Sequence, residues 1–314
     1  MIPQRPATVS VIDPIGPAIE RVRTILFSPF DLGKWFIIGF CAWLAQLGST
    51  GGGGRGTGGG NGGGSYSVEE QLGHAKEYVL ANLIWIIPLV IVCAVIGIIF
   101  WLVFKWLSSR GQFMFLHCVA LNKAEVTIPW KKFQQHANSL FLFRIVLGLI
   151  SFIVIALPLF LAIGFIITMI ANSEDIVIIV LIGISAGIFI ITGVIIFGII
   201  NQFTMDFVVP IMFLRTTSCM AGWREFKKIL SVNKARFLLY ILFHIVIGIA
   251  IGSIVLIGFC VTCCCCCLGL IPYISTVILL PLFVFKRSYS LLYLRQYGLQ
   301  FDVFHQETEN LQTM

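Results

Sequence analysis

Long apolar runs separated by short polar stretches dominate the pattern along the chain. At a rise of about 1.5 Å per helical residue, six of these runs are long enough to cross the roughly 30 Å hydrocarbon layer of a bilayer. The pattern predicts transmembrane helices over residues 29–48, 83–104, 145–170, 176–200, 237–258 and 266–285. The sequence therefore predicts an all-α fold, a polytopic membrane helix bundle of six transmembrane helices in a single integral membrane domain over residues 1–314.

The first and last spans depend on local signals as well as on hydrophobicity. In the sequence SPFD, Ser28 is placed as an N-cap, Pro29 at the first helical position and Asp31 in the first turn, which predicts a helix over 29–48. The uncharged stretch 237–285 is too long for one crossing, so we interpret it as a transmembrane hairpin. The arm before the first span is interrupted by prolines and does not resemble a cleaved signal peptide, so we expect the first span to act as the insertion signal.

Composition supports the membrane assignment, and charge gives the orientation. Hydrophobic residues make up 58% of the chain and charged residues 11%, against about 45–50% and about 25% in soluble proteins. When the chain is divided at the six spans, 19 of the 21 Lys and Arg residues fall on one side, with only Arg55 and Lys76 on the other. The positive-inside rule then predicts a multi-pass protein of a bacterial inner membrane, with a cytoplasmic arm (1–28) and tail (286–314). The net charge of +7 describes a basic membrane face, and no nucleic-acid partner is expected.

Three segments combine an apolar face with lysine or arginine, and they are residues 15–27, 129–143 and 222–240. Each leads into a span through a capping residue, Ser28, Asn138 or Asn233, which indicates a threefold pattern of a cytoplasmic interfacial amphipathic helix followed by a transmembrane hairpin. Such helices lie among anionic headgroups, so the lipid bilayer is the predicted partner, and docking of an unknown protein partner is the alternative. The predicted interfacial anchors are Arg21, Arg23, Trp130, Lys131, Lys132, Trp223, Lys227 and Lys228.

Two low-complexity segments lie on the predicted extracytoplasmic side. The glycine-rich segment 49–66 is interpreted as a flexible tether because it lacks the lysine and the strand–helix context of a phosphate-binding loop. Five consecutive cysteines, 263–267, follow Cys260 in the turn of the last hairpin. Small apolar packing is the favoured interpretation of this cysteine run, and a disulfide or redox pair and a metal site are left open. No cofactor is expected.

Ionisable residues are almost absent from the predicted membrane cores, where each costs several kcal/mol to insert. His244 is the exception, and since no acidic partner is evident in the other cores, we interpret it as a neutral packing residue, with proton gating or ligand binding as the alternative. Asp206 lies at the inner end of the fourth span and is expected to pair with Arg215 or Arg224 rather than to catalyse a reaction. His244 and Asp206 are thus the candidate functional polar residues.

Three hydrophobic motifs carry a resemblance to a known group of proteins. The segments DFVVPIMFL (206–214), GWREFKKILSVN (222–233) and VILLPLFVFKRSYSLLYLRQYG (277–298) resemble uncharacterised bacterial six-span membrane proteins. These are similar to the membrane domain associated with some glycerophosphoryl diester phosphodiesterases, whose chemistry resides in a separate soluble barrel. The resemblance implies a bare membrane module with no catalytic residues to carry over.

The sequence indicates the function only in general terms. The sequence predicts a non-enzymatic scaffold or membrane-organising module of unknown biochemical activity. A transporter or channel for a small or lipid-like solute is the alternative, supported by the repeated hairpins, the prolines in the apolar runs and His244.

Overall fold

The computed structural model describes residues 9–47, 83–171, 176–261 and 272–304. These residues form helices and short connections, and they contain no β-strand. The α-helices are α1 (Ile15–Leu26), α2 (Leu32–Gln46), α3 (Leu83–Leu121), α4 (Thr127–Lys132), α5 (Gln134–Ala171), α6 (Ile176–Phe203), α7 (Val209–Arg215), α8 (Cys219–Val232), α9 (Lys234–Val261), α10 (Pro272–Ile278) and α11 (Leu280–Arg295). A π-helical turn, Thr204–Val208, joins α6 to α7, and a 3₁₀ turn, Leu299–Phe301, follows α11.

Four helical segments are long and apolar enough to cross a membrane by length and composition, and they are Trp85–Leu121, Gln134–Met169, Val177–Arg215 and Lys234–Ile257. They coincide with four of the six predicted runs, as expected of a membrane protein, and the described residues are helical without strands. The first predicted span corresponds to a shorter apolar helix, Leu32–Gln46. The last, 266–285, includes α10, the start of α11 and residues outside the described part. The count of six spans is therefore not confirmed.

Helix α2 begins three residues later than predicted. Its N-cap is Asp31, whose side chain accepts a hydrogen bond from the Gly33 backbone nitrogen at 2.8 Å. The prediction that Ser28 caps this helix with Pro29 at its first position was wrong, because Asp31 satisfies the first-turn donor instead. At about 1.5 Å per residue, the 15 residues of α2 span about 22 Å.

The inner ends of α3 and α5 also differ from the prediction. Helix α3 continues to Leu121, because its last turns bury apolar side chains in the interior. The segment predicted as one amphipathic helix, 129–143, is divided at Phe133 between α4 and α5. Asn138 therefore lies inside α5 and is not a cap; its side-chain oxygen accepts a hydrogen bond from Trp106 Nε1 at 3.2 Å. Asn233 does mark the predicted boundary, between α8 and α9.

Buried side chains gather at one end of the long helices. In the most apolar 18-residue window of each of the four long segments, only 0% to 11% of the residues are buried within the chain, as expected of a surface covered by lipid. We call the other end the packed base. It comprises α1, α2, the part of α3 after Lys105, α4, α5 up to Arg144, the π-turn, α7, α8, α9 up to Tyr240, and α11. Helices α3 and α5 have 39 and 38 residues, so each is about 57 Å long and extends well beyond a 30 Å hydrocarbon layer.

Long-range contacts hold the packed base together. The N-terminal arm is joined to α11 by a reciprocal pair of hydrogen bonds between the Ser10 backbone and the Gln296 amide, at 2.8 and 2.9 Å. Inside the base, the rings of Phe207 and Phe226 stack with centroids 5.2 Å apart, and the Phe237 ring meets both edge-on at 5.3 Å. Aromatic pairs of this kind add to the burial energy, so α8, α9 and the π-turn are fixed relative to one another.

Candidate functional site

The π-turn places Asp206 inside the packed base. The turn follows directly from the C-terminal end of α6, and the Thr204 hydroxyl donates to the Ile200 carbonyl at 2.7 Å. Asp206 is only 5% exposed. A π-turn adds a residue to the helical repeat and shifts the following side chains around the axis, and such turns are frequent at functional sites.

Asp206 is the centre of a polar group that we call the Asp206 cluster, which consists of Gln202, Asp206, Tyr240 and His244. The Tyr240 hydroxyl donates to Asp206 Oδ2 at 3.0 Å, and Gln202 Nε2 donates to the same oxygen. Gln202 Nε2 also lies 2.9 Å from His244 Nε2, and His244 Nδ1 lies 4.0 Å from Asp206 Oδ2. Tyr240 and His244, one turn apart on α9, thus make polar contacts with the end of α6 and the π-turn.

This arrangement overturns two expectations about the candidate polar residues. His244 does have an acidic neighbour, Asp206, because the π-turn brings the carboxylate to the level of α9. Asp206 does not form an ion pair with Arg215 or Arg224. Arg215 instead binds Glu225, with Nη2 and Oε1 2.7 Å apart.

Arg287 of α11 lies near the Asp206 cluster and supplies a buried positive charge. Its Nη1 donates to the Met205 carbonyl at 2.6 Å, whereas its Nε and Nη2 are buried and have no hydrogen-bond partner. Burial lowers the pKa of Arg287 to about 10, and the charge of Asp206 opposes that shift, so the guanidinium stays cationic at neutral pH. A buried carboxylate is tolerated when a cation and hydrogen-bond donors compensate it, and Arg287, Gln202 and Tyr240 do so here.

The chemistry available to the Asp206 cluster is proton binding and hydrogen bonding. The imidazole can bind a proton, and the neighbouring carboxylate can accept a hydrogen bond from it. The His244 side chain is 12% exposed and its Nδ1 has no hydrogen-bond partner, so a proton gained there would be drawn towards Asp206. Within the described ranges, no group of three or more His, Cys, Asp or Glu side chains is placed to hold a metal ion.

The predicted interfacial anchors divide into two groups. The exposed group is Arg23, Lys131, Lys132, Lys227 and Lys228. The other three side chains are half-buried and make contacts within the chain, and their role as anchors stays a prediction. Arg21 donates to the Val119 and Ala120 carbonyls at 3.3 and 3.0 Å and so caps the end of α3. Trp223 packs against Phe143 and Phe226 in the base.

Trp130 belongs to a cationic stack that the sequence did not reveal. The Arg110 guanidinium lies 4.4 Å from the Trp106 ring centroid and 4.7 Å from that of Trp130. One face of each ring is therefore covered by a cation, an arrangement that favours Arg because its planar charge stacks on aromatic rings. Trp130 thus acts as an internal packing residue, and the clue in the sequence was a Trp–Arg spacing of four residues on α3, between Trp106 and Arg110.

Two predictions concern residues beyond this description. The glycine-rich segment 49–66 and the five cysteines 263–267 lie outside the described residues, as does the side chain of Cys260.

Sequence reasoning missed two polar partners in the Asp206 cluster, Gln202 and Tyr240. Gln202 on α6 is four residues from Asp206, and Tyr240 on α9 is four residues from His244. Such i, i+4 pairs lie on one helix face and were the available signal.

Comparisons with known proteins give a family and no activity. No curated protein and no solved structure matches the chain. The resemblance to phosphodiesterase-associated membrane domains is therefore still a prediction. One family of unknown function, DUF7544, matches residues 9–274. This match includes most of the packed base and all four apolar segments, and the chain belongs to the DUF7544 family.

Proposed function

We propose that the chain is a non-enzymatic membrane-organising module whose basic face binds anionic lipid headgroups. One observation carries the proposal. Helices α4 and α8 each present two adjacent lysines to the outside while a phenylalanine beside them is buried in the base: Phe133 is 2% and Phe226 is 0% exposed. The lysine pairs, Lys131–Lys132 and Lys227–Lys228, are therefore attached to rigid structure.

Rigid attachment matters because it lowers the entropy lost when a charged surface binds. Each lysine near an anionic membrane surface contributes about 1 kcal/mol at moderate salt, so the four together contribute about 4 kcal/mol. The effect acts within a Debye length, about 8 Å at physiological ionic strength. A basic face of this kind collects anionic lipid or holds the base against it.

The test replaces the four lysines of the two pairs with glutamine in the full chain reconstituted into nanodiscs. Spin-labelled phosphatidylglycerol and phosphatidylcholine report the lipids that contact the protein. We expect the preference for phosphatidylglycerol to fall towards that for phosphatidylcholine in the variant and, for the wild type, on raising the salt concentration. A matched control, Gln134→Ala with Gln135→Ala, changes exposed uncharged side chains at the start of α5. An unchanged lipid preference in the four-lysine variant would contradict the proposal.

The finer topology belongs to the same proposal. We place the two termini and the charged helices α1, α4 and α8 of the packed base on the cytoplasmic side of a bacterial membrane, with six spans that include α2, because the base contains most of the lysine and arginine residues of the described part. Membership of a wider group that includes phosphodiesterase-associated membrane domains is part of this proposal too. Reporter fusions after residue 60 and at the C-terminus test it: they should report opposite faces of the membrane.

A second candidate function, proton-linked transport, is supported by the Asp206 cluster. Asp206 and His244 lie between apolar helices, where ionisable groups commonly mark the route of a proton or a substrate. Protonation of His244 would convert a 4.0 Å approach into an ion pair and weaken its contact with Gln202. This change could move α9 relative to α6.

Proteoliposomes containing a pH-sensitive dye separate the two functions. Transport predicts a proton flux that is lost in His244→Gln and Asp206→Asn but retained in Asp13→Asn, since Asp13 is exposed at the N-terminal arm. Equal proton fluxes from all three variants and from protein-free vesicles would contradict the transport function and favour the organising role.

A further inference from the structure

Two buried cysteines face each other across the contact between α2 and α3. Cys41 on α2 and Cys118 on α3 are each 0% exposed, and their Sγ atoms lie 3.9 Å apart. The thiol of Cys118 also lies 3.7 Å from the Glu125 carbonyl oxygen. Both cysteines carry free thiols. The functions proposed above make no use of either one.

Hydrogen bonds on both sides of this cysteine pair hold α2 against α3. Near the start of α2, Lys34 Nζ donates to Asn122 Oδ1 at 2.8 Å. Near its end, the Ala45 carbonyl accepts a hydrogen bond from Ser108 Oγ at 2.8 Å. The cysteine pair lies between these two contacts, so α2 cannot slide along α3 without breaking one of them. The two sulfur atoms are therefore held opposite each other by the fold.

The two backbones approach closely on the helix face that carries the pair. At Gly111 of α3, a Cβ atom would lie 2.5 Å from the carbonyl carbon of Leu44. Residues seven apart lie on one face of a helix, so the face that touches α2 at Gly111 continues to Cys118. A disulfide needs its sulfur atoms about 2.05 Å apart. Starting from 3.9 Å, each sulfur has to move by about 1 Å, which a small rotation about each Cα–Cβ bond provides.

We propose that Cys41 and Cys118 are a modification site at which hydrogen peroxide converts two thiols into a disulfide that links α2 to α3. One sulfur, as its thiolate, attacks the peroxide; the O–O bond breaks, and a sulfenic acid and hydroxide form, the hydroxide taking up the thiol proton to give water. The other sulfur then attacks the sulfenic sulfur. The S–S bond forms, the S–O bond breaks, and the oxygen leaves with the second thiol proton as water. In total the thiols lose two electrons and two protons, and one peroxide is reduced to two waters.

Burial selects both the oxidant and the product. Hydrogen peroxide is small and uncharged, so a brief local opening of the helix contact admits it more readily than a bulky oxidant. A sulfenic acid formed at either position has the other cysteine as a neighbouring nucleophile, so the disulfide forms in preference to higher oxidation states. In a compartment that keeps thiols reduced, such a disulfide is a transient response to an oxidant. The inference does not depend on lipid binding.

Peptide mapping by mass spectrometry tests the link in the full chain, treated in mild detergent with hydrogen peroxide and then with an alkylating agent. We expect the peptides that contain Cys41 and Cys118 to be joined, and to separate on treatment with dithiothreitol. Cys93→Ser, which removes an exposed thiol from the same helix as Cys118, should keep the joined peptide, whereas Cys41→Ser should lose it. If the native chain gives no more of the joined peptide than the chain unfolded in sodium dodecyl sulfate, the proposal is wrong. Recovery of the two cysteines as free thiols or as sulfinic acids would also overturn it.

Unfolding in sodium dodecyl sulfate provides a second measurement. The link joins residues that are 77 positions apart, so it restricts the unfolded chain and should raise the detergent fraction at which the chain unfolds. Dithiothreitol should return the midpoint to its original value, and peroxide should leave the midpoint of Cys41→Ser unchanged. An equal effect of peroxide on the wild type and on Cys41→Ser would contradict the proposal. The mapping of the wild-type chain needs no variant, so it decides the question even if Cys41→Ser does not fold.

Discussion

Gly111 lies where α2 and α3 come closest, and alanine at this position tests whether that contact determines the stability of the packed base. A Cβ atom on Gly111 would lie 2.5 Å from the carbonyl carbon and 2.7 Å from the Cβ of Leu44, and it would also meet the backbone nitrogen of Ala45. Non-bonded carbon atoms normally approach to about 3.5–4.0 Å. Gly111→Ala therefore forces the two helices apart by roughly 1 Å, because two of the three contacts are with backbone atoms that cannot rotate away.

The expected cost follows from the contacts that the separation weakens. Overpacking a close contact costs about 1–3 kcal/mol. The Ala45 carbonyl also accepts hydrogen bonds from Ser108 Oγ at 2.8 Å and from Gln112 Nε2 at 2.9 Å. A shift of roughly 1 Å takes both beyond good geometry, and each is worth about 1 kcal/mol. We expect Gly111→Ala to lower the free energy of unfolding by about 2–4 kcal/mol.

The assay is unfolding in mixed detergent micelles with increasing sodium dodecyl sulfate, followed by circular dichroism. Gly97→Ala is the matched control, because Gly97 lies on the same helix and a Cβ atom there meets nothing within 4 Å. Alanine is the better helix former by about 1 kcal/mol, so Gly97→Ala should be neutral or slightly stabilising. If Gly111→Ala unfolds at the same detergent fraction as Gly97→Ala, the close approach of α2 and α3 is not a feature of the folded chain.

The remaining predictions concern three buried or partly buried side chains. Asp206→Asn removes the carboxylate near Arg287, so the same unfolding assay should show a loss of about 1–3 kcal/mol, whereas Asp13→Asn at the exposed arm should show none. Burial raises the pKa of Cys219 to about 12, so between the ordinary thiol pKa of about 9 and this value only the unfolded chain loses the thiol proton. The free energy of unfolding should therefore fall with rising pH from about 9, by up to about 1.4 kcal/mol per pH unit. Cys219→Ala should remove this part of the pH dependence. Arg21→Met removes the donor at the last carbonyls of α3 and keeps an apolar stem, so we expect a loss of about 1–2 kcal/mol; an unchanged unfolding curve would show that this cap contributes nothing.

Helix existence was predictable from the sequence, and helix ends were not. Runs of twenty or more apolar residues have few alternatives to a lipid-exposed helix, which is why α3, α5, α6 and α9 coincide with predicted runs. Helix α3 extends beyond the predicted span 83–104 to Leu121, and the sequence did not show this because the added residues include polar ones, such as Arg110 and His117, that the packed base buries. A helix end that contains both polar and apolar residues and is buried by other helices shows no simple hydrophobic period in its sequence. At α2, Asp31, the residue that was expected in the first turn, is itself the cap, and only the structure shows this.

The Asp206 cluster shows why pairing between helices is harder to predict. Gln202 and Asp206 have the i, i+4 spacing that places both on one helix face, and so have Tyr240 and His244. Nothing in the sequence states that these two faces meet. The π-turn between α6 and α7 also interrupts the 3.6-residue period in this region. The sequence therefore identified Asp206 and His244 as separate candidates, and only the structure shows that they are neighbours.

The positive charge of the packed base is carried by two groups of side chains with different roles. The arginines that bridge or cap helices, such as Arg21, Arg144 and Arg287, contact backbone carbonyls or hydroxyls, which suits a side chain with five donors in a fixed plane. The exposed lysines of α4 and α8 make no comparable use of geometry and act as point charges. The positive-inside rule counts both groups equally. Removing an arginine of the first group should unfold structure, whereas removing a lysine of the second should change only the proposed attraction to lipid. A loss of lipid binding therefore identifies the basic face only when the lysine variants unfold like the wild type.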